Sequence, residues 1–370
     1  MGSSMETVRF PAEVLLGTGA RIFQAAGAPA ETARVVASAL VEANLKGHDS
    51  HGVLRIPQYL DRIRKGQIKP AAQPRIQGER GATALVSGEW GFGQLAGIAA
   101  TDEAVRRAQE YGVSAVGVVR CNHLGRVGAY VEQAAAKDCA AMVWVGGLGT
   151  RPAVPHGGSR SALGTNPISA GFPVQGEHPV VLDYATTAIA VGKIMVARDA
   201  GKPLPPGVMI DKNGRPSTDP EVFYQEGALL PFGGHKGYSL SVIAELLGQA
   251  LTGADRYQDA GTAEEVFRHA GALVVAIHAG AFRPAEEAKA VARRLVTRLR
   301  MVPPAQGVES VLTPGEPEAR TMRQRTASGI ELAGETWRSI LAAAESVGVS
   351  PRDLPSPSDR GAGPSPMASG

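Results

Sequence analysis

The first residues whose types suggest chemistry lie at positions 47–52, where the sequence reads GHDSHG, and Arg55 follows closely. Imidazole is the usual proton donor and acceptor near neutral pH, and a neighbouring hydroxyl can orient it through a hydrogen bond. A guanidinium can bind a carboxylate through two parallel N–H bonds. This combination predicts proton transfer on a substrate that carries a carboxylate. A polar helix cap with a structural histidine is the alternative that these residues leave open.

A second polar cluster, RCNHLGR at residues 120–126, directly follows a predicted strand at 114–119. A strand, a polar turn that contains glycine and then a helix is the arrangement in which α/β sheets place ligands. His123 could act there as a catalytic acid or as a cofactor contact. It could equally do no more than cap the following helix.

Two further loops beside predicted strands carry hydrogen-bonding side chains: LGTNP at 163–167 and LDYATT at 182–187. Their Thr, Asn and Asp side chains offer donors and acceptors to a ribose or an amide. Asp183 could instead cap the helix near Ile189. Lys193, inside that helix, could be a cationic site residue or simply a surface lysine.

The segment PFGGHKGYSL at residues 231–240 opens an apolar helix that we predict over residues 238–251. A helix N-terminus offers free N–H groups and the positive end of its dipole, and Lys236 adds a full positive charge. The segment therefore suits a phosphate group, although the spacing of a Walker A loop is absent. A glycine-rich helix cap with an exposed lysine is the alternative.

The dinucleotide fingerprint G-x-G-x-x-A is matched only weakly, by GFGQLA at residues 91–96. Glu89 and Trp90 stand between the preceding strand and the first glycine, and Glu110 ends the following helix instead of the next strand. We therefore do not expect a Rossmann site there.

A metal site is not predicted either. His48 and His51, with Asp49 between them, resemble a ligand cluster, but zinc-binding helices place histidines four residues apart and glycines flank this segment.

The composition excludes several classes of protein. With 370 residues, 44% hydrophobic and 20% charged, the chain is typical of a soluble globular protein with one large or two modest domains. A net charge of +3 gives no electrostatic case for nucleic acid, and no apolar run reaches transmembrane length. Two cysteines form no disulfide framework and the first residues lack a signal-peptide pattern, so we expect a cytoplasmic location.

Hydrophobic periodicity predicts an α/β chain. Helices are expected at residues 12–23, 31–45, 57–64, 97–110, 126–137, 189–198, 238–251, 284–299 and 335–347. Strands are expected at residues 83–86, 114–119, 140–145, 168–172, 180–183 and 272–278. Residues 146–166 form a Gly/Pro-rich loop, which we expect to be functional because structureless loops of that length are uncommon.

Taken together, these blocks resemble the second type of malate/L-lactate dehydrogenase family, which also holds sulfolactate and ureidoglycolate dehydrogenases and the piperideine-/pyrroline-2-carboxylate reductases. The resemblance runs from about residue 12 to residue 348. Its carriers are five motifs in family order: GHDSHG at 47–52, NHLG at 122–125, GTNP at 164–167, DYATT at 183–187 and GGHKGY at 233–238.

The resemblance implies an enzyme that uses NAD or NADP to interconvert a small 2-hydroxy acid and its 2-keto acid. It implies a non-Rossmann NAD(P)-binding domain with a mixed sheet, inserted into a largely helical domain, and a homodimer. The expected cofactor domain covers residues 81–259. The helical domain, for substrate and dimerisation, covers 8–80 with 260–348, and 349–370 is expected to be a disordered tail.

By match to the family motifs, the proton-transfer residues would be Ser50 and His51, with His123 at the nicotinamide or the substrate. Substrate contacts would come from Arg55, Thr165 and Lys193. The residues expected at the cofactor are His123, Leu124, Gly125, Asn166, Asp183, Ala185, His235, Lys236, Gly237, Gly315 and Glu316, and residues 314–318 would close over it.

One departure from the family pattern bears on the substrate. The imino-acid reductases carry an acidic residue where this chain has Val191, Gly192 and Lys193, so Lys193 favours the hydroxy-acid branch. Reduction of a cyclic imine carboxylate stays open as an alternative. So do a catalytically silent ligand-binding dimer and a hydrolase based on Ser50 and His51, although the hydrolase lacks a nucleophile elbow.

Overall fold

The structure of the chain is a computed structural model that describes residues 7–147, 152–199, 201–257 and 271–355. The chain divides into two compact units. The first unit consists of residues 1–63 and 318–370, and the second unit consists of residues 64–317.

The described residues form ten α-helices, of which nine were predicted to within a few residues at each end. They are α1 (Ala12–Ala25), α2 (Ala30–Leu45), α3 (Ile56–Arg64), α4 (Gly93–Tyr111), α5 (Gly128–Ala135), α6 (Val191–Asp199), α7 (His235–Glu245), α8 (Ala285–Arg300), α9 (Glu316–Ser328) and α10 (Gly334–Ser346). Helix α7 continues as a π-helix over Leu246–Leu251. Helix α9 was missed because its sequence, EPEARTMRQRTAS, has too few apolar residues to show a helical period.

The strands are β1 (Thr7–Phe10), β2 (Arg75–Arg80), β3 (Thr83–Ser87), β4 (Val113–Val119), β5 (Cys139–Gly146), β6 (Ile168–Phe172), β7 (Val180–Tyr184), β8 (Met209–Ile210), β9 (Pro216–Ser217), β10 (Ala228–Leu229), β11 (Gly271–His278) and β12 (Ile330–Ala333). All six predicted strands are confirmed. The structure adds β2, whose residues are all exposed and therefore show no apolar alternation, and the short strands β1, β8, β9, β10 and β12.

The second unit contains a mixed seven-stranded sheet with the order β2-β3-β4-β11-β5-β6-β7. Only β3 and β4 pair in parallel, and every other neighbouring pair is antiparallel. Strand β11 lies between β4 and β5 and is mostly buried, which agrees with its continuous apolar sequence GALVVAIH. A separate three-stranded sheet has the order β10-β8-β9.

Helix α4 packs on the large sheet through small side chains. Ala100, Ala104 and Ala108 recur at a spacing of four residues and are fully buried. They belong to the same apolar cluster as Val116 and Val118 of β4. The alanine stripe lets the helix approach the strands closely, so the ends of the strands are held on a dense core.

The first unit is built on the helix pair α1 and α2 and on the antiparallel pair β1 and β12. A Cβ on Gly19 would lie 3.1 Å from the Cβ of Ala37, so the two helices approach each other closely at this crossing. The ring of Phe10 lies 4.4 Å from that of Trp337 in α10, and both side chains are buried. This aromatic contact joins β1 to the C-terminal helix of the unit.

The unit boundaries differ from those expected from the sequence. Strand β11 and helix α8 lie in the second unit, because β11 hydrogen-bonds between β4 and β5. Within the expected tail, Pro351–Asp353 form a helical turn and Leu354 is buried, while residues 356–370 lie outside the described residues.

Both cysteines are free and buried, as expected for a chain without a disulfide framework. Burial raises the pKa of the Cys121 thiol to about 12 and that of Cys139 to about 11. In the described residues, no helix has the length and apolar character needed to cross a membrane.

We expect Trp337→Ala to lower the free energy of unfolding by about 3–5 kcal/mol, because it removes a buried aromatic side chain that packs on Phe10. Trp337→Phe keeps a ring in the same space and should cost clearly less. Urea unfolding of both variants and of the wild type measures this difference. Equal midpoints for Trp337→Ala and the wild type would contradict the packing described here.

Candidate active site

Helix α2 ends where the sequence predicted. Gly47 has φ +82°, a left-handed conformation that glycine adopts without strain, and its N–H donates to the Asn44 carbonyl at 2.9 Å. Two single-turn 3-10 helices follow, Asp49–His51 and Val53–Arg55, and lead into α3. The polar cluster therefore lies on a tight turn between two helices of the first unit.

Asp49 is held by two side chains that the sequence analysis did not identify. Arg325 of α9 donates from one terminal nitrogen to Oδ1 of Asp49 at 2.6 Å and from the other to Oδ2 at 3.0 Å. Asn44, which is only 1% exposed, donates from Nδ2 to Oδ1 of Asp49 at 2.6 Å. The Asn44 Oδ1 accepts the N–H of Val53 at 2.8 Å. We call Asn44, Asp49 and Arg325 the Asp49 clamp.

Ser50 and His51 form a pair, since Ser50 Oγ lies 2.9 Å from Nδ1 of His51. Either group can donate in this hydrogen bond, depending on the tautomer of the imidazole. Both side chains are half-buried. The arrangement can move a proton between a hydroxyl and an imidazole, which is the chemistry predicted for this segment.

Arg55 lies next to this pair and donates from Nε to the Ser50 carbonyl at 2.7 Å and from a terminal nitrogen to Oε1 of Gln58 at 2.7 Å. Burial lowers the pKa of its guanidinium, with a smaller opposing effect from Tyr59. In the described part of the chain no carboxylate pairs with Arg55. A half-buried guanidinium with neutral partners favours an anionic ligand.

His48 lies apart from the Ser50–His51 hydrogen bond, with its Nε2 at 3.6 Å from Oε1 of Glu318. Because Asp49 is engaged by Arg325, the segment does not present His48, Asp49 and His51 to one point. Over residues 7–147, 152–199, 201–257 and 271–355, no group of three His, Cys, Asp or Glu side chains could hold a metal ion.

In the second unit, the other polar loops lie at one edge of the large sheet, where several of its strands begin or end. Strands β3 and β4 end side by side, as the register Ser87↔Val119 shows. Strands β4 and β5 both end beside the start of β11, where Ala272 pairs with Val118 and Val145. Strand β6 begins and β7 ends at the same edge, through the register Ile168↔Tyr184. The loops at 120–126, 163–167 and 182–187 therefore start or end together.

Backbone hydrogen bonds join these loops to the start of α7. The Thr186 N–H donates to the Thr165 carbonyl at 3.0 Å, and Phe232 N–H donates to the Thr186 carbonyl at 3.1 Å. Gly237 N–H in turn donates to the Phe232 carbonyl at 2.9 Å. A Cβ on Gly237 would overlap the Phe232 backbone, so only glycine fits at this crossing. Three of the predicted site segments are thus in contact.

The buried side chain of Asn166 also joins the 163–167 loop to α7. Its side chain is fully buried, and Nδ2 lies within 3.1 Å of the Ser241 carbonyl, the Ser241 Oγ and Oε2 of Glu245. Glu245 also accepts the N–H of Gly147 at 3.1 Å. The side-chain nitrogen of Asn166 is therefore used to fix the loop on α7.

Asp183 caps a helix, but a different helix from the one considered in the sequence. Its Oδ2 accepts the N–H of Gly128 at 2.8 Å, at the start of α5. Ala185 follows on the same loop and is half-buried.

The loop after β4 is anchored by Asn122. The buried Asn122 donates from Nδ2 to the carbonyls of Gln67, Trp90 and Gly91 at 3.1, 3.0 and 2.9 Å. Leu124 is buried and its carbonyl accepts from Tyr130, while Gly125 turns the chain with φ +74°. His123 is half-buried between these two supports.

The glycines of the weak G-x-G-x-x-A match have a structural explanation. A Cβ on Gly91 would lie 2.9 Å from the Ala72 carbonyl oxygen, and a Cβ on Gly93 would overlap the carbonyls of Asn122 and His123. Close backbone packing within the protein accounts for both glycines.

The start of α7 is exposed and basic. Gly234 precedes the helix with φ +63° and, having no side chain, offers no side-chain cap itself. His235 and Lys236 are exposed, and in the described residues Lys236 makes no ion pair. Lys193 is exposed near the start of α6 and likewise has no ion pair there.

Glu316 begins α9 and has a structural role. Its Oε2 accepts from the N–H and from Oγ1 of Thr313, both at 3.2 Å. Arg300 donates to the same oxygen at 3.0 Å and also binds Glu177. Gly315, with φ +90°, lies against the β7 backbone, where a Cβ would be 3.1 Å from the nitrogen of Val181.

Sequence reasoning missed the residues that support the site. Asn44 gave one usable signal, because it lies on the buried face of α2 with Val36 and Leu40. Arg325, Arg300 and Glu245 gave none, because each is a charged residue whose partner lies far away in the chain.

Comparisons with known proteins agree with this architecture. Residues 10–341 match the sequence model of the malate/L-lactate dehydrogenase family. The chain is 34% identical over 345 residues to hydroxycarboxylate dehydrogenase B of Escherichia coli O157:H7, an alignment that covers 92% of this chain and 95% of that protein.

Two solved structures share the fold at appreciable identity. Sulfolactate dehydrogenase from Methanocaldococcus jannaschii superposes with a TM-score of 0.83 at 34% identity, covering 94% of this chain and 99% of that one. Δ1-piperideine-2-carboxylate reductase from Pseudomonas syringae pathovar tomato gives a TM-score of 0.79 at 30% identity, covering 90% and 99%.

We expect Gly52→Ala to destabilise the turn that carries Ser50 and His51, because a Cβ there would overlap the buried Asn44 amide. Such overpacking typically costs about 1–3 kcal/mol. The matched control is Gly17→Ala in α1, where nothing lies within 4 Å of the new methyl group. There the better helix propensity of alanine should raise stability by roughly 0.5–1 kcal/mol. Thermal melting of both variants measures the direction of each stability change, and equal shifts would refute the close contact between Gly52 and Asn44.

Proposed function

Because this chain belongs to the malate/L-lactate dehydrogenase family, we propose that it interconverts a small 2-hydroxy acid and its 2-keto acid with a nicotinamide cofactor. The observation that carries the proposal is the Ser50–His51 hydrogen bond of 2.9 Å beside Arg55. The turn thereby offers a proton acceptor and an anion-binding group together, which are the two functions that oxidation of a hydroxy acid requires.

The roles follow from the chemistry of each group. Oxidation removes a hydride from the carbon and a proton from the hydroxyl, and His51 would accept that proton. In the reverse direction His51 would return it, with Ser50 orienting the imidazole. Arg55 would bind the carboxylate, with Thr165 and Lys193 as further substrate contacts and His123 at the nicotinamide or the substrate. The bound nicotinamide supplies the hydride acceptor or donor.

We further propose that the second unit binds the dinucleotide, NAD or NADP, at the sheet edge and at the start of α7. The exposed Lys236, which makes no ion pair with the described residues, and the positive end of the α7 dipole suit a phosphate group. The proposed contacts are His123, Leu124, Gly125, Asn166, Asp183, Ala185, His235, Lys236, Gly237, Gly315 and Glu316. For Asn166, Asp183 and Glu316, the side-chain atoms described above are already used to support the protein, so their contacts would come from the remaining atoms.

We infer that the cofactor domain does not have a Rossmann fold and is inserted into the helical domain. The support is that only one pair among the described strands of the large sheet is parallel, and that both glycines of the 91–96 segment pack against protein backbone. A homodimer and a cytoplasmic location are proposals that rest on the family resemblance and on the two free, buried cysteines.

Reduction of a cyclic imine carboxylate is the second candidate. It is favoured by the structural similarity to the piperideine-2-carboxylate reductase. The exposed Lys193, where that branch carries an acidic residue, favours the hydroxy acid. A hydrolase has less support, because the Asp49 carboxylate is bound by Arg325 and Asn44 instead of by His51.

We expect His51→Ala to lower kcat by ~10² to 10⁴ while leaving NADH binding nearly unchanged, because acid–base catalysis is lost and the cofactor contacts stay. The measurement is a panel of 2-hydroxy acids, 2-keto acids and cyclic imine carboxylates with NAD(H) and NADP(H), together with titration of protein fluorescence by NADH. His278→Ala, in the second unit, is the control. Turnover equal to that of the wild type would remove His51 from the mechanism.

We expect Lys236→Ala to raise the Kd for NADH or NADPH about tenfold or more, because a charge-assisted bond to a phosphate is worth roughly 1.5–3 kcal/mol. The increase should be smaller at high salt, since screening already weakens the wild-type contact. Lys202→Ala is the matched control, an exposed lysine of the same unit. If Lys202→Ala weakens binding as much as Lys236→Ala, the phosphate assignment fails.

A further inference from the structure

We propose that the Asp49 clamp positions the Ser50–His51 pair, and that Arg325 is thereby a positioning residue for the reaction. The proposal rests on the proposed function in so far as His51 moves the proton. Arg325 itself touches neither Ser50 nor His51 in the structure and acts through Asp49.

The first step of the argument is the geometry of the carboxylate. Arg325 engages both oxygens of Asp49 from two different nitrogens, at 2.6 and 3.0 Å. Such a bidentate pair fixes the orientation of the carboxylate as well as its position. The third bond, from Asn44 Nδ2 at 2.6 Å, also reaches Oδ1. Asp49 therefore has little freedom to rotate, and Ser50 is the next residue in the chain.

The second step is that the turn is held at three positions. Asp49 is held by its side chain, Ser50 by its carbonyl, which accepts from Arg55 at 2.7 Å, and Val53 by its N–H, which donates to Asn44. The same Asn44 fills the space above Gly52. His51 lies between these points in the chain, so its backbone is held on both sides.

The third step concerns the choice of arginine. A terminal nitrogen of Arg325 also donates to the backbone carbonyl of Asn44 at 2.5 Å, in the last turn of α2. One guanidinium thus joins the end of α2 to the following turn. A lysine has a single ammonium group and cannot reproduce this planar fork, so Arg325→Lys should keep the charge and lose part of the geometry.

A purely structural role would make a different prediction. If Arg325 only stabilised the first unit, its removal would lower the melting temperature. The titration of the His51 ring in the folded variant would then be unchanged. If it positions His51, the folded variant must show an altered imidazole environment. A displacement of about 1 Å in catalytic geometry can cost on the order of 10² in rate.

The test uses the full chain with the variants Arg325→Ala, Arg325→Lys and His51→Ala, and Arg323→Ala as the matched control. Arg323 is an exposed arginine on the same helix. Proton NMR follows the titration of the histidine rings, and the resonance that disappears in His51→Ala identifies His51. The kcat and KM for the best substrate of the panel are measured beside it.

We expect Arg325→Ala to shift the His51 titration and to lower kcat at least tenfold, with NADH binding unchanged. Arg325→Lys should show a smaller change in the same direction, and Arg323→Ala none. Should Arg325→Ala fail to fold, Arg325→Lys decides the question. An unchanged His51 titration in a folded Arg325 variant overturns the clamp while leaving the proposed function intact. A shifted titration in a protein that turns over no substrate of the panel supports the clamp and refutes the proposed function.

Discussion

Strand β11 is the constraint on which the second unit depends. It hydrogen-bonds to β4 on one side and to β5 on the other. Without it, β2-β3-β4 and β5-β6-β7 would be separate sheets. Because β11 runs antiparallel to both neighbours, β4 and β5 point the same way and end at the same edge. The polar loops that follow them are therefore brought together by a strand that comes more than a hundred residues later in the chain.

Buried polar side chains then fix the loops at that edge. Asn122 binds three backbone carbonyls, Asn166 ties its loop to α7, and Asp183 caps α5. In the first unit, Asn44 serves the turn that carries His51 in the same way. A buried amide is costly when its hydrogen bonds are unmade, so each of these residues favours one loop conformation over its alternatives. The loops can then hold their side chains in place without being regular secondary structure.

The two arginines near the Ser50–His51 pair differ in the charge of their hydrogen-bond partners. Arg325 is neutralised by Asp49 through a bidentate pair, whereas in the described residues Arg55 has only neutral hydrogen-bond partners. Burial disfavours the charged form of Arg55, so an incoming carboxylate would offset this desolvation cost. An arginine thus supports the turn where a carboxylate of the protein pairs with it, as Asp49 does with Arg325. Where its partners are neutral, as for Arg55, it suits an anionic ligand.

The sequence by itself determined the local structure and the family. The apolar periods located nine helices and six strands, Gly47 marked the end of α2, and five motifs in order indicated a malate/L-lactate dehydrogenase, which the family match confirms. It could not locate β2 or α9, since neither shows an apolar period.

The roles of the polar residues were decided only by the tertiary structure. Asp49 resembled a metal ligand in the sequence, until the fold placed Arg325 against it from 276 residues away. Periodicity reports which face of an element is buried, but the partner of a buried charge is set by chain segments that meet only when the protein has folded.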